Sequence, residues 1–368
     1  MRIAIYLPVL DSIGGVEQNM VETLRELAAR GHRICLFYEQ PGNLSDDFRS
    51  FCESMHRGAS PRYSESPLRD VPRIGARAVA AARRRPDLIF ANNFSELAWA
   101  AGVKALTRAP IVCHLHEFQP VRRSSLKLLG GRVDRVIVSS AYMRDVWTNH
   151  GLDPSRIEVI HPGMPQSIYN AGGDEDRARV RQQLGIPQDA YVVLYMGRLI
   201  PEKGVDVLLE AWRTVAFAPE RARLLIVGLP EVTDTYIDGL RAMSPPGCEW
   251  LPMVRDVVPM LHAADVLAAP SRWDEPFGRV LVEAMATGRP AVGAAVGGIP
   301  EILRGEFAGL LFPREDSAAL AERLLALQDW RVRDPSLAAH CADHVAAHFS
   351  LEATVSQLEE VFAASAAG

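Results

Sequence analysis

SRWDEPFGRVLVEAMATG, residues 271–288, lies between two short apolar runs, 266–269 and 291–293. Within it Val280, Leu281, Val282, Ala284 and Met285 recur at helical spacing, Gly288 suits a C-terminal cap, and Pro290 suits a stop just beyond. Strand, helix and strand in that order form the repeating unit of a parallel α/β sheet. Pro276 suits the first helical position, which puts Glu275 beside the free amides of the helix start. Glu283 then falls about two turns further on, roughly on the same side. Carboxylates accept hydrogen bonds from hydroxyls, and free amides donate to phosphate or sugar oxygens, so the pair suits a holder of hydroxyl-rich ligand groups. A capping glutamate followed by one solvated helix glutamate accounts for the same residues.

The alternation extends in both directions from this stretch. Strand candidates over 3–7, 34–38, 88–91, 111–116, 135–139 and 157–160 fill the first half, with helices over 17–30, closed by Gly31, and 76–85. In the second half the strands fall at 191–196, 223–227, 249–251, 266–269 and 291–293, separated by helices over 205–212, 257–263 and 279–286. The series restarts after a stretch rich in Gly, Asp and Pro, 165–176. The pattern predicts two doubly wound, Rossmann-like α/β domains, residues 1–165 and 166–348, joined near 163–180. Ligands of such sheets sit at the carboxyl ends of the strands, so two facing domains would enclose an interdomain cleft. A last amphipathic helix falls within residues 349–368; periodicity does not assign its packing surface, and the N-terminal domain is one candidate.

Composition narrows the function classes. A chain of 368 residues with 48% hydrophobic side chains is long enough for two cores, and no apolar run approaches a membrane span. The N-terminus opens on a strand pattern with no signal-peptide organisation. Cys35, Cys52, Cys113, Cys248 and Cys341 are scattered, odd in number and without CxxC spacing, which points to reduced thiols, a cytoplasmic enzyme and no structural zinc.

The net charge of −5 hides an asymmetry: residues 1–165 carry 22 basic and 17 acidic side chains, residues 166–368 carry 18 and 28. The basic excess gathers at 62–85 and at Arg122, Arg123 and Lys127. Such a face can meet an acidic acceptor or the inner face of an anionic membrane, and it equally suits solvated helix surfaces. Aromatics are not interleaved with it, so nucleic acid is not an expected partner. Only Lys104, Lys127 and Lys203 are lysines against 37 arginines, a usage typical of a high-GC bacterial source that gives a lysine at a motif position added weight.

Further candidates fall at strand ends. Gly14-Gly15 follows the first strand and precedes a helix, where glycine lets backbone approach a phosphate or simply makes a tight turn. The order DSIGGVEQN is not GxGxxG, which disfavours NAD. GRLIPEKG, residues 197–204, puts Arg198 and Lys203 five apart on a strand-to-helix loop, where a fork and a point charge can clamp a diphosphate. His114 and His116 share one strand face with Glu117 at its end. His-x-His without a further ligand at local spacing does not suggest a metal, so His114 reads as core and His116 as the candidate. Asn92 and Asn93 end another strand. Gly297-Gly298 reads as a loop close to a ligand or as a plain turn, and His161-Pro162-Gly163 as a hinge.

In this order, GG, HE, GRLIPEKG, PSRWDEPFGRVLVEAMATGRP and VGGIPEIL resemble the family 4 retaining glycosyltransferases of the GT-B fold. The resemblance spans roughly residues 1–325 and is most specific in the second half, where Glu275 and Glu283 look like the family's E-x7-E signature. It implies that a nucleoside-diphosphate sugar lies mainly against the second domain as co-substrate. Arg198 and Lys203 would hold the diphosphate without a metal or other cofactor, Glu283 the ribose hydroxyls, and Glu275 the sugar hydroxyls. Phe277, Gly278 and Arg279 would offer amides at the helix start, His116 would sit by the anomeric centre, and Gly15 would approach the phosphate. Asn92, Asn93 and Glu117 would face the acceptor, and the segment around Val254 would wall the base.

Retention by a front-face route needs a stabilised leaving diphosphate, an oxocarbenium-like ion and acceptor attack from the leaving side, which positioning and electrostatics supply. Double displacement would instead use Glu275 as nucleophile; the front-face route is preferred. UDP is the expected donor nucleotide, and the acceptor is either a small molecule or a lipid-linked glycan met through the basic first domain. Two rivals remain, a GT-B-like nucleotide-sugar epimerase acting by hydrolysis and a non-catalytic nucleotide-sugar-binding protein.

Overall fold

The computed structural model describes residues 1–11, 14–60, 67–228 and 234–367, of which 67–69, 123 and 234 are described by backbone alone. Ser12 and Ile13 of the first glycine turn, and Arg62 at the head of the basic run, lie outside the described residues. The chain divides into two units, Met1–Gly163 with Leu351–Gly368, and Met164–Ser350.

The first unit holds β1 (Arg2–Val9), β2 (Arg33–Gln40), β3 (Ser54–Arg57), β4 (Leu88–Ala91), β5 (Ile111–Leu115), β6 (Arg135–Val138) and β7 (Ile157–Val159). They pair in the order β3-β2-β1-β4-β5-β6-β7, every pairing parallel. The second unit holds β8 (Tyr191–Met196), β9 (Ala222–Gly228), β10 (Cys248–Pro252), β11 (Val266–Ala269), β12 (Ala291–Ala294) and β13 (Leu311–Phe312). Their order is β10-β9-β8-β11-β12-β13, again parallel throughout. Both sheets are doubly wound. The winding reverses between β1 and β4 in one and between β8 and β11 in the other, and ligands of such sheets gather at the carboxyl ends of those strands.

The central strands are apolar because helices cover both sheet faces: YVVLYM of β8 is buried at all six positions. The helix Val205–Val215 buries Val205, Val207, Leu208, Leu209, Ala211 and Trp212, and the helix Arg279–Ala286 buries Leu281 through Ala286. At the amino ends of β8 and β11, Asp265 accepts from the Val192 amide at 2.8 Å and from Arg181 at 2.8 Å. Burial pushes the Asp265 carboxyl up, but Arg181, Arg331 and Arg177 outweigh it and hold it below the usual carboxylate range. The same burial brings Arg181 down to about 10. In the first unit, Leu351, Val355, Leu358 and Phe362 of the helix Leu351–Ala367 share a core with Ile3, Ile5 and Leu24. Arg30 and His32 both pair with Glu359, at 2.9 Å each.

Three local expectations change. β3 was not anticipated: SMHR carries no apolar run, and it forms an edge strand paired to β2 alone. β13 has two residues, too few for any period. The helix expected over 76–85 begins at Pro67, with Pro72 inside it, where a proline ordinarily marks a boundary. Among the described residues no helix is long and apolar enough to cross a membrane.

Candidate functional site

The second unit assembles its site from the loops that leave β8 and β11, the two strands at the winding reversal. After β8 the chain makes a short turn, Pro201–Lys203, and Gly204 follows at φ +65°. A Cβ on Gly204 would lie 2.1 Å from the Pro270 carbonyl oxygen, so only glycine lets the two loops touch there. The amides of Arg272 and Trp273 then donate to the Glu202 carbonyl at 2.8 and 3.3 Å. Held this way, Lys203 Nζ donates to Glu275 Oε1 at 2.6 Å, and the Ser271 hydroxyl donates to the same oxygen. The pair is largely shielded, with side-chain exposures of 17% and 12%. The ammonium also lies 5.5 Å from the centre of the Trp273 ring. Beneath the pair, burial and the Glu275 charge push the Tyr195 phenol well up, so it stays a hydroxyl and donates to the Arg198 carbonyl at 2.7 Å.

Glu275 does not stand at the helix entrance, and Pro276 is not the first helical residue. The helix begins at Arg279 after Gly278 at φ +106°. A left-handed residue at that point turns the chain before the helix starts, which spacing alone did not reveal. Instead the Gly297-Gly298 loop after β12 wraps the Glu275 backbone. A Cβ on Gly297, at φ +53°, would lie 2.1 Å from the Glu275 oxygen, and the Gly298 amide donates to that oxygen at 2.8 Å. Phe277 is buried against Phe349, with ring centres 5.7 Å apart.

The two glutamates anchor separate clusters among the described residues. Glu283 is buried and accepts from Arg279 Nε at 2.7 Å and from the Tyr169 hydroxyl at 3.3 Å. Arg279 Nη2 in turn donates to that hydroxyl at 3.2 Å. Val254 follows β10 and is half-buried at the edge of the same core. Sequence reasoning missed three members of these clusters. Ser271 lay in the decisive stretch but carries no signal of its own; Tyr169 lay in the stretch read as a linker; Arg272 is one arginine among many.

In the first unit, Asn92 and His116 follow β4 and β5. His116 Nε2 donates to Asn92 Oδ1 at 2.7 Å, and the Asn92 amide donates to Glu96 at 2.7 Å. Burial brings His116 down to about 3, so it is a neutral imidazole with Nδ1 as acceptor. His114 packs its ring 3.8 Å from that of His116 and stacks on Phe90. Burial first and His116 second bring it well down. Asn93 is occupied as a cap, its side chain accepting from the Phe94 amide at 2.7 Å. Glu117 accepts from Gln119 at 2.8 Å, and Gly15 is the first residue of the helix Gly15–Ala29. Among the described residues no three His, Cys, Asp or Glu side chains converge as metal ligands.

Residues 13–167 match the family described as Glycosyltransferase Family 4, and residues 190–329 match glycosyl transferases group 1. D-inositol 3-phosphate glycosyltransferase of Corynebacterium aurimucosum is 34% identical over 260 residues, which are 66% of this chain and 59% of that protein. D-inositol 3-phosphate glycosyltransferase 1 of Catenulispora acidiphila is 29% identical over 394 residues, covering 96% and 92% of the two chains. In fold, the chain is similar to Anabaena HepE crystallised with UDP and glucose, with a TM-score of 0.84, 22% identity and 99% of both chains covered. It is also similar to sucrose-phosphate synthase of Thermosynechococcus elongatus, with a TM-score of 0.78, 23% identity and 98% of each chain covered.

Proposed function

The chain belongs to the family 4 glycosyltransferases and has the GT-B fold, and on that premise we propose that it moves a sugar, with retention, from a nucleoside-diphosphate sugar to an acceptor hydroxyl. The observation that carries this reading is the Lys203–Glu275 pair at the winding reversal of the second sheet. An ammonium has three donors, and Glu275 takes one, so Lys203 keeps two for phosphate oxygens. Arg198, on the same loop, adds a second cation for the diphosphate. Both bonds to Glu275 fall on Oε1, which supports Oε2 as the acceptor for a hydroxyl of the donor sugar. Glu283, already an acceptor from the Tyr169 hydroxyl, takes the ribose hydroxyls.

In the step itself the bond from the anomeric carbon to the phosphate oxygen breaks and a bond to the acceptor oxygen forms on the same face. The acceptor proton passes to the departing phosphate oxygen, so no protein base is consumed. Lys203 and Arg198 stabilise the charge on the leaving diphosphate, the role usually given to a metal in other transferases. Residues Phe277, Gly278 and Arg279 offer backbone amides, and Gly15 offers a close backbone approach. His116 serves as a neutral hydrogen-bonding group toward the sugar, with its Nδ1 lone pair available as acceptor. The wall around Val254 receives the base.

UDP is the proposed nucleotide, supported by the Anabaena protein crystallised with UDP. The names of the inositol-phosphate relatives support a small soluble acceptor over a lipid-linked glycan. Cytoplasmic location is proposed with it, supported by five free cysteines. Thermal shifts with UDP, GDP, ADP and TDP and then their sugars test the donor, and the anomeric configuration of the product tests retention. No shift with any nucleotide would sink the reading. Sugar release without acceptor would favour the hydrolytic epimerase, and donor binding without turnover would favour a binding protein.

A further inference from the structure

The guanidinium of Arg272 joins segments on both sides of Lys203. Nη1 and Nη2 fork onto the two oxygens of Asp206 at 2.7 and 2.5 Å, Nη1 also donates to the Pro201 carbonyl at 3.2 Å, and Nε donates to Glu315 at 2.6 Å. The Arg272 amide holds the Glu202 carbonyl at 2.8 Å. Pro201, Glu202 and Asp206 bracket the lysine in sequence, while Arg272 lies beside Ser271 on the loop that carries Glu275. One residue therefore ties the lysine loop to the glutamate loop through side chain and backbone together. Next to it Asp274 pairs with Arg314, which fastens the same loop to the segment after β13.

We propose that Arg272 is a positioning residue of the donor site, resting on the reading above: it fixes where the Lys203 ammonium meets the diphosphate without touching the donor itself. A partly exposed single ion pair would contribute little, but a planar fork shared among Asp206, Glu315 and a carbonyl holds a loop in one geometry. Lysine cannot reproduce that fork, so Arg272→Lys keeps the charge and loses the geometry. Removing a positioning group lets the lysine drift, and a displacement of about 1 Å near a reacting centre costs roughly a hundredfold in rate.

The test compares Arg272→Gln, Arg272→Lys, Asp206→Asn, the Arg272→Gln/Asp206→Asn pair and Lys203→Ala in the full chain. The probes are the nucleoside diphosphate giving the largest thermal shift among UDP, GDP, ADP and TDP, its sugar, and the bare nucleoside. Arg272→Gln is expected to weaken diphosphate binding and lower kcat/KM by roughly ten- to hundredfold while nucleoside binding is unchanged. Arg272→Lys is expected to fail to restore it. Asp206→Asn should give the same loss, and the double variant no more than the larger single one. Wild-type diphosphate affinity in Arg272→Gln overturns the proposal, as does an equal loss of nucleoside and diphosphate binding, which marks general damage. If Lys203→Ala binds the diphosphate normally, the donor-site reading itself is wrong; if Lys203→Ala fails and Arg272→Gln does not, only the positioning role falls.

Discussion

Lys203 Nζ and Glu275 Oε1 stand 2.6 Å apart across 72 positions of chain, in a pair that exposes less than a fifth of either side chain. Each charge finds its ion partner on the other segment. The lysine rides a turn after β8, the glutamate a loop after β11, and the pairing of those strands brings them together.

Lys203→Ala should therefore be felt in both activity and stability. The lost cation should lower turnover by roughly 10²–10³-fold, the scale of removing one preorganised charge-stabilising donor. It also leaves a shielded carboxylate without its ion partner, at about 1–3 kcal/mol. Glu275→Gln, which still accepts through its amide oxygen, should keep more of the stability than the lysine variant. Thermal melts beside steady-state kinetics check both; near-wild-type transfer by Lys203→Ala would remove the basis of the proposed function.

Donor affinity should also depend on Tyr169. Its hydroxyl donates to Glu283 and receives Arg279, so Tyr169→Phe leaves both with one partner fewer. A stability loss of about 1 kcal/mol is expected. KM for the donor should rise several-fold with little change in kcat, as expected for an interaction made equally in ground and transition states. A selective fall in kcat would contradict the assignment of this cluster to ribose binding.

Glycine at 204 is required twice over, by a φ of +65° and by a Cβ position 2.1 Å from the Pro270 oxygen. Gly185 has a φ of +67°, but a Cβ there would meet no atom beyond its chain neighbours within 4 Å. Gly185→Ala should thus cost about 1–2 kcal/mol from backbone conformation alone. Gly204→Ala should cost more, and only it should abolish transfer, because it pushes the lysine loop away from Pro270. Denaturant unfolding and activity of the two variants separate the causes; equal behaviour would refute the close approach.

The pH dependence of stability should carry the signature of His116. Its folded value of about 3 lies below the ordinary imidazole value near 6.5, so the unfolded chain binds the proton more readily. The resulting stability is present in full above pH 6.5 and is lost as pH falls from there toward 3. His114, lowered by burial and by His116, acts in the same direction. Melts from pH 8 to 5 should show a shallower loss for His116→Asn than for the wild type. Parallel curves would show that His116 titrates normally. Transfer by the wild type should show no inflection from this residue between pH 5 and 9.

Much of the architecture was legible because it rests on local signals. The apolar runs of β8 and β11 and the helical spacing in 279–286 are set by burial on both faces of a parallel sheet, and burial writes itself into consecutive residues. SMHR of β3 had no such signal, because an edge strand is stabilised by pairing with β2 and needs no apolar run. The spacing placed this helix at 279–286, where it lies, but Pro276 was misread as its first residue for a related reason. A proline permits an N-terminus, but Gly278 at φ +106° decides where the turn ends, and the Leu281 and Ile299 side chains leave little room for a Cβ there. Among the site residues, Glu275, Glu283 and Lys203 stood out by type and setting. Ser271, Tyr169 and Arg272 did not, since a serine, a tyrosine or one more arginine is unremarkable until its partner is known.

By itself, then, the sequence determined the class of fold, two wound parallel sheets, and the residue types able to hold a diphosphate and hydroxyls. Periodicity and composition are properties of neighbours along the chain, and those features depend on nothing more. Only the tertiary structure decided that Lys203 binds Glu275, that Tyr169 joins the Arg279–Glu283 pair of a single helix, and that Arg272 ties two loops together. The Lys203 and Arg272 contacts follow from β8 lying beside β11, a strand order set by how the helices and strands pack in three dimensions and by no spacing along the chain.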